Sequence, residues 1–135
     1  MSESQMARTY KDYKIYCCLA LNRLVSEMGI DLYQPELESK LDQILASWPK
    51  GVSKEDIKHE IRSNHFMTNK VIEELERQGL VRVEMRDGQY EIRITKEGIL
   101  YIRRYNEFFL KIYEEQIRDH YKYHGMPHWT RGAGK

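Results

Sequence analysis

Apolar residues recur at three- and four-residue steps near the start of the chain: Tyr10, Tyr13, Cys17, Ala20, Leu24 and Met28. This spacing predicts a helix over about 9–28, closed by Gly29 at its C-terminus. Tyr16, Leu19, Leu21 and Val25 extend the apolar surface beyond one stripe, so the helix must touch more than one neighbour. After a short loop, Pro35 suits the first turn of a second helix running to about Trp48. Leu37, Leu41, Ile44 and Leu45 form its buried face, and Pro49-Lys50-Gly51 ends it. Ser53 with Asp56 three residues later is a capping-box variant that opens a short helix to about Arg62. Ser63-Asn64 marks a turn. A further helix follows over about 65–78, with Ile72 and Leu75 facing inward and Gly79 as its stop.

Residues 80–86 and 89–95 alternate apolar and polar around Asp87-Gly88. Asp-Gly is a strong signal for a type I′ hairpin turn, whose two central residues both need positive φ. A two-residue turn fixes the register. Met85 then faces Tyr90, Val83 faces Ile92 and Val81 faces Ile94 on one side. The other side places Arg82 opposite Arg93 and Glu84 opposite Glu91, which is unfavourable unless diagonal contacts or a partner compensate. Thr95 caps a last helix, with Glu97 in its first turn. Its pattern continues to about Tyr123, some 28 residues or roughly 42 Å at 1.5 Å per residue. Ile102, Tyr105, Phe109, Ile112 and Gln116 follow a heptad-like 3-4-3-4 spacing. Leu100, Phe108, Tyr113 and Ile117 add a second stripe.

The chain is thus mainly α with a small β-hairpin. Residues 37–102 resemble a winged helix-turn-helix domain, on LDQILASWPKGVSKEDIKHEI and MTNKVIEELERQGLVRVEMRDGQYEIRITKEG. Leu75, Gly79, Leu80 and Val81 carry the phrase that closes the third helix of such domains. Thr95 and Gly98 carry the Thr-x-x-Gly that opens the helix after the wing. The sequence is similar to the MarR-type and small archaeal winged-helix regulators. On this resemblance, an N-terminal arm and helix occupy 1–34 and the winged core 35–98. A long dimerisation helix then occupies 99–124, and a tail 125–135.

The resemblance implies a dimeric transcriptional regulator that binds double-stranded DNA in the cytoplasm, without a cofactor. The 65–78 helix would lie in the major groove and present Asn64, His65, Thr68, Asn69, Lys70 and Glu73 to base edges. Arg82, Arg86 and Arg93 of the wing would meet the backbone or minor groove. The first and last helices would form the dimer through Tyr13, Cys17, Leu24, Ile102, Tyr105, Phe109 and Ile112. The alternative is a winged-helix adaptor that docks proteins and binds no DNA, since one fold hosts many functions.

Charge qualifies the DNA reading. The 135 residues carry 22 basic and 21 acidic groups, a formal net charge of +1. Residues 51–94 hold eight basic against nine acidic groups, and 95–135 eight against five. The positive excess therefore lies beyond the motif, where Arg103, Arg104, Lys111, Arg118 and Lys122 are available.

Other chemistry is sparse. The longest apolar run, 15–21, is far short of the roughly 20 residues a membrane helix needs, and the N-terminus lacks the apolar core of a signal peptide. Cys17 and Cys18 are adjacent, and no CxxC spacing is present, so they read as reduced core or interface thiols. His120, His124 and His128 recur every four residues. Pro127 interrupts them and no further ligand completes a metal set, so they read as solvated histidines at a helix end. Ten tyrosines suggest terminal helices packing on each other before they suggest stacking on single-stranded bases. Trp129 reads as an apolar plug that docks on its own domain or on a partner. No catalytic motif is present, and an enzyme is not expected.

Overall fold

The computed structural model describes residues 13–48, 50–123 and 125–131. Tyr10, Pro49 and His124, which entered the sequence reading, lie outside the described residues, as does the end of the tail. The elements in order are α1 (Tyr13–Met28), α2 (Leu37–Ala46), β1 (Val52–Ser53), α3 (Lys54–Ile61), α4 (His65–Arg77), β2 (Val81–Arg86), β3 (Gln89–Ile94), α5 (Lys96–Ile112), α6 (Glu114–Tyr121) and a short 3-10 turn, His128–Arg131. Among the described residues no helix is long and apolar enough to cross a membrane.

Helix α1 is the central element. It buries Ile15, Tyr16, Cys18, Leu19, Leu21, Leu24 and Val25, which its more-than-one-sided apolar pattern requires. Its polar exception is Asn22. Asn22 and Asn106 of α5 are both fully buried and exchange amide hydrogen bonds at 2.8 and 2.9 Å. Buried amides are costly unless paired, so this reciprocal pair fixes the register of α1 against α5. Burial also pushes the Cys18 thiol up to about 12, and neither cysteine is in a disulfide.

Helices α3, α4 and α5 each start at a side-chain cap. Ser53 accepts from the Asp56 amide at 3.0 Å, Asn64 from Met67 at 2.8 Å and Thr95 from Gly98 at 3.0 Å. Thr95 also donates to the Gly79 carbonyl at 2.7 Å, which ties the end of the hairpin to the turn after α4. Gly98 serves this same junction. A Cβ there would sit 2.1 Å from the Leu80 carbonyl oxygen, so no other residue fits. Helix α2 begins at Leu37, with Pro35 in the preceding turn and not in the helix.

The β2–β3 register is the one the Asp-Gly turn predicts, from Val81 opposite Ile94 to Met85 opposite Tyr90. Asp87 and Gly88 have φ of 52° and 80°. The sheet has a third strand that alternation could not reveal, because β1 is only two residues long. Val52 pairs with Ile92 and Ser53 with Glu91, giving the order β1-β3-β2. Gly51 allows this approach, since a Cβ there would lie 2.5 Å from the Ile92 carbonyl oxygen.

The expected 28-residue terminal helix is broken. Tyr113, at φ −114° and ψ 26°, separates α5 from α6. The break lets Ile117, His120 and Tyr121 turn back onto the domain, where all three are buried. His120 Nε2 lies 2.6 Å from the Glu60 carbonyl oxygen at the end of α3, and the Tyr121 hydroxyl donates to the Glu60 carboxylate. Arg23 of α1 reaches the same carboxylate at 3.2 Å. His120 is therefore a core residue and not a solvated one. Trp129 packs edge-on against Tyr121 with ring centroids 6.3 Å apart, docking the tail on its own domain.

Candidate nucleic-acid interface

Helices α3 and α4 are joined by Arg62, Ser63 and Asn64, with Arg62 in the left-handed region at φ 52°. Helix α4 turns Thr68, Val71, Ile72 and Leu75 into the core. A hairpin follows directly and its base is buried through Val81, Ile92 and Ile94. The fold is a winged helix-turn-helix. In its terms, α4 is the recognition helix and β2–β3 is the wing.

The face of α4 opposite the core carries most of the residues expected there. His65, Asn69, Lys70 and Glu73 are exposed. Asn64 is exposed as well, but its carboxamide oxygen is engaged as the cap. Thr68 is a correction. It is 2% exposed, because it lies one turn before Ile72 and two before Leu75 on the inward face. Its hydroxyl has no hydrogen-bond partner among the described residues.

Three residues belong to this surface that the sequence reading passed over. Lys54, the first residue of α3, donates to Asn69 Oδ1 at 3.0 Å. The same ammonium sits 4.2 Å from the ring centroid of Tyr90 on the wing. Lys54 thus bridges both helices of the motif and the wing. Phe66, one turn before Lys70, is 72% exposed, and Lys70 Nζ lies 5.7 Å from its centroid. The spacing of Phe66 from Asn69 and Lys70 was the available signal, masked by the default that phenylalanine is core.

The wing arginines divide. Arg82 and Arg86 are exposed on the side of the hairpin away from the core. Arg86 stands 3.9 Å from Glu91, one diagonal contact of the kind the like-charge register demands. Arg93 turns aside. Its guanidinium donates to the Leu45 and Trp48 carbonyls at 3.4 and 2.5 Å, satisfying the free C-terminal end of α2. This relieves the Arg82–Arg93 juxtaposition and commits Arg93 to the fold. Met85 and Tyr90 remain exposed toward the tip.

The charges of the motif are unevenly spread over its surface. Glu55 is paired with Lys58 and His59, Glu60 with Arg23, and Glu74 with Arg77. Glu73 and Glu76 lie in the C-terminal half of α4, whereas Lys70 and the bridging Lys54 lie toward its N-terminal half. That end also carries the positive pole of the helix dipole.

The expected dimer residues separate into three groups. Leu24, Ile102 and Phe109 are buried in the protomer, where α1 packs on α5, so they are not available to a second chain. Tyr105 and Ile112 are exposed, Ile112 at 57%. Together with half-buried Tyr101 and exposed Phe108 they form a single stripe on α5 at spacings of four, three and four. Tyr101 and Tyr105 pack at 4.8 Å between centroids. Tyr13 and Cys17 of α1 are half-buried, and the Tyr13 hydroxyl donates to the Lys70 carbonyl of α4 at 2.7 Å. Burial holds that phenol up at about 12, so it remains a donor.

No known family profile matches the sequence, and no curated protein matches it. Two solved structures of MepR from S. aureus, both of mutants, are similar to it. One is 16% identical and covers 88% of this chain and 84% of its own, with a TM-score of 0.41. The other, from a multidrug-resistant clinical isolate, is 14% identical over the same shares, with a TM-score of 0.38.

Proposed function

We propose that the chain is a DNA-binding transcriptional regulator of the cytoplasm that grips duplex DNA through α4 and the wing and acts as a homodimer. The observation that carries this reading is that Lys54, Asn69 and Tyr90, from three elements, meet on the N-terminal half of α4, where Lys70 is also exposed. Recognition helices present residues from their N-terminal part to base edges, and that is the half where cations and an amide collect here. Asn69 offers its amide to a base, Lys70 meets a phosphate or guanine, and Arg82 and Arg86 approach the sugar-phosphate backbone.

The second copy is read onto the Tyr101, Tyr105, Phe108 and Ile112 stripe. Large apolar side chains repeated along one helix face are uncommon on a monomer surface, and an α-helical stripe at heptad-like spacing suits a like helix. A protein-docking role in place of DNA draws on Met85 and Tyr90, apolar side chains exposed toward the wing tip.

Two measurements test the reading. Fluorescence anisotropy with a pool of random duplexes, beside the same strands unpaired, should show duplex affinity that falls steeply with salt. Absence of duplex binding at low salt contradicts it. Sedimentation should show a dimer that Phe108→Glu converts to a folded monomer. A parent chain that sediments as a monomer removes the second copy.

A further inference from the structure

We infer that Phe66 is a specificity-determining residue that reads the 5-methyl group of thymine in the major groove. This rests on the reading of α4 as a duplex-binding helix. The fold gives Phe66 no structural task. It is 72% exposed, it is absent from the apolar core, and it occupies the second position of α4, just after the Asn64 cap. On the helix it lies nearly opposite the buried Thr68, Val71, Ile72 and Leu75, at the centre of the outward face. Asn69 and Lys70 follow it by three and four residues and therefore flank the same patch. The Lys70 ammonium stands 5.7 Å from the ring centroid, which leaves the ring edge and its other face open.

The chemistry of the groove selects the ligand. An aromatic ring held on the outward face of this helix offers an apolar contact to whatever lies against that face. The largest apolar group that B-DNA displays in the major groove is the thymine methyl, set among hydrogen-bond donors and acceptors. Asn69 beside it is suited to adenine. Its Oδ1 accepts from Lys54 at 3.0 Å, which orients the amide, and the oxygen's second lone pair and the Nδ2 donor serve adenine N6 and N7. Phe66 and Asn69 therefore favour sites with thymine and adenine close together, while Lys54 acts as a positioning residue for Asn69.

The test separates this inference from duplex binding itself. A preferred duplex is selected from a random library with the full chain, and each thymine is then replaced in turn by deoxyuridine, which lacks only the methyl. Affinity should fall about fourfold for each methyl that Phe66 covers, the loss expected for one buried carbon. Phe66→Ala should abolish that difference at the same positions while still binding duplex in a salt-dependent way. Phe66→Leu should keep part of it, and Lys70→Ala should keep all of it. Because the ring is exposed, the thermal melt of Phe66→Ala should match the parent. A parent chain that binds duplex but tolerates every deoxyuridine, or a Phe66→Ala chain that still distinguishes the two bases, overturns the inference and leaves duplex binding standing. A parent chain that binds no duplex overturns both.

Discussion

Helices α4 and α5 both begin at a side-chain cap, and both were expected to turn one face to a partner. On α4 that face is where the sequence places it, apart from Thr68. On α5 the expected seam is split, with Ile102 and Phe109 in the protomer core and Tyr105 and Ile112 outside it. The difference lies in what the residues say about their own surroundings. Asn69, Lys70 and Glu73 are polar, and polar side chains without partners are seldom buried. Helix α5 is apolar over two adjacent faces. Periodicity groups its residues by face and cannot say which face meets the same chain and which meets another.

The largest test of this contrast compares two residues of the expected seam. Phe109→Ala should cost about 3–5 kcal/mol in urea or thermal unfolding, as for other buried aromatics. Ile112→Ala should stay within about 0.5 kcal/mol of the parent at concentrations where the chain is monomeric. Equal losses would erase the division. Next, Asn106→Ala should cost about 1–3 kcal/mol, because it leaves the buried Asn22 amide without its partner. The two caps follow. Asn64→Ala should lose about 1 kcal/mol. Thr95→Ala should lose more, since its hydroxyl serves both the Gly98 amide and the Gly79 carbonyl. The smallest effect belongs to the one misplaced residue of α4. Thr68→Val should be neutral or stabilising by less than about 1 kcal/mol, since it removes a buried hydroxyl that has no partner among the described residues. It should also leave duplex affinity unchanged. A large loss of affinity would return Thr68 to the interface.

Local chemistry made much of the motif legible. Ser53 and Thr95 announce helix starts because hydroxyls satisfy free amides. Asp87-Gly88 fixes the whole hairpin register because a two-residue turn of that type allows no other. What stayed hidden depended on distant partners. The two residues of β1 carry no alternation of their own and are defined by Ile92 and Glu91 across the sheet. The break at Tyr113 has no proline or glycine to mark it, and it is accounted for by contacts that His120 and Tyr121 make with Glu60, some sixty positions earlier. Arg93 looked like Arg82 in sequence, yet the carbonyls of Leu45 and Trp48 claim it. Lys54 entered the candidate interface for the same reason, since only the packing of α3 against α4 and the wing brings it to Asn69 and Tyr90.

On the proposed reading, the N-terminal half of α4 and the wing form a duplex-binding surface to which Lys70 contributes and from which Arg93 is withdrawn. The direct measurement is duplex affinity across a salt series for the parent, Lys70→Ala and Arg93→Ala, with thermal stability recorded for each. Lys70→Ala should reduce the slope of log affinity against log salt by about one for each phosphate it no longer neutralises, while leaving stability unchanged. Arg93→Ala should lower stability and leave the slope intact. A parent slope near zero, or a slope that depends on Arg93 and not on Lys70, would contradict a duplex-binding surface built on α4 and the wing.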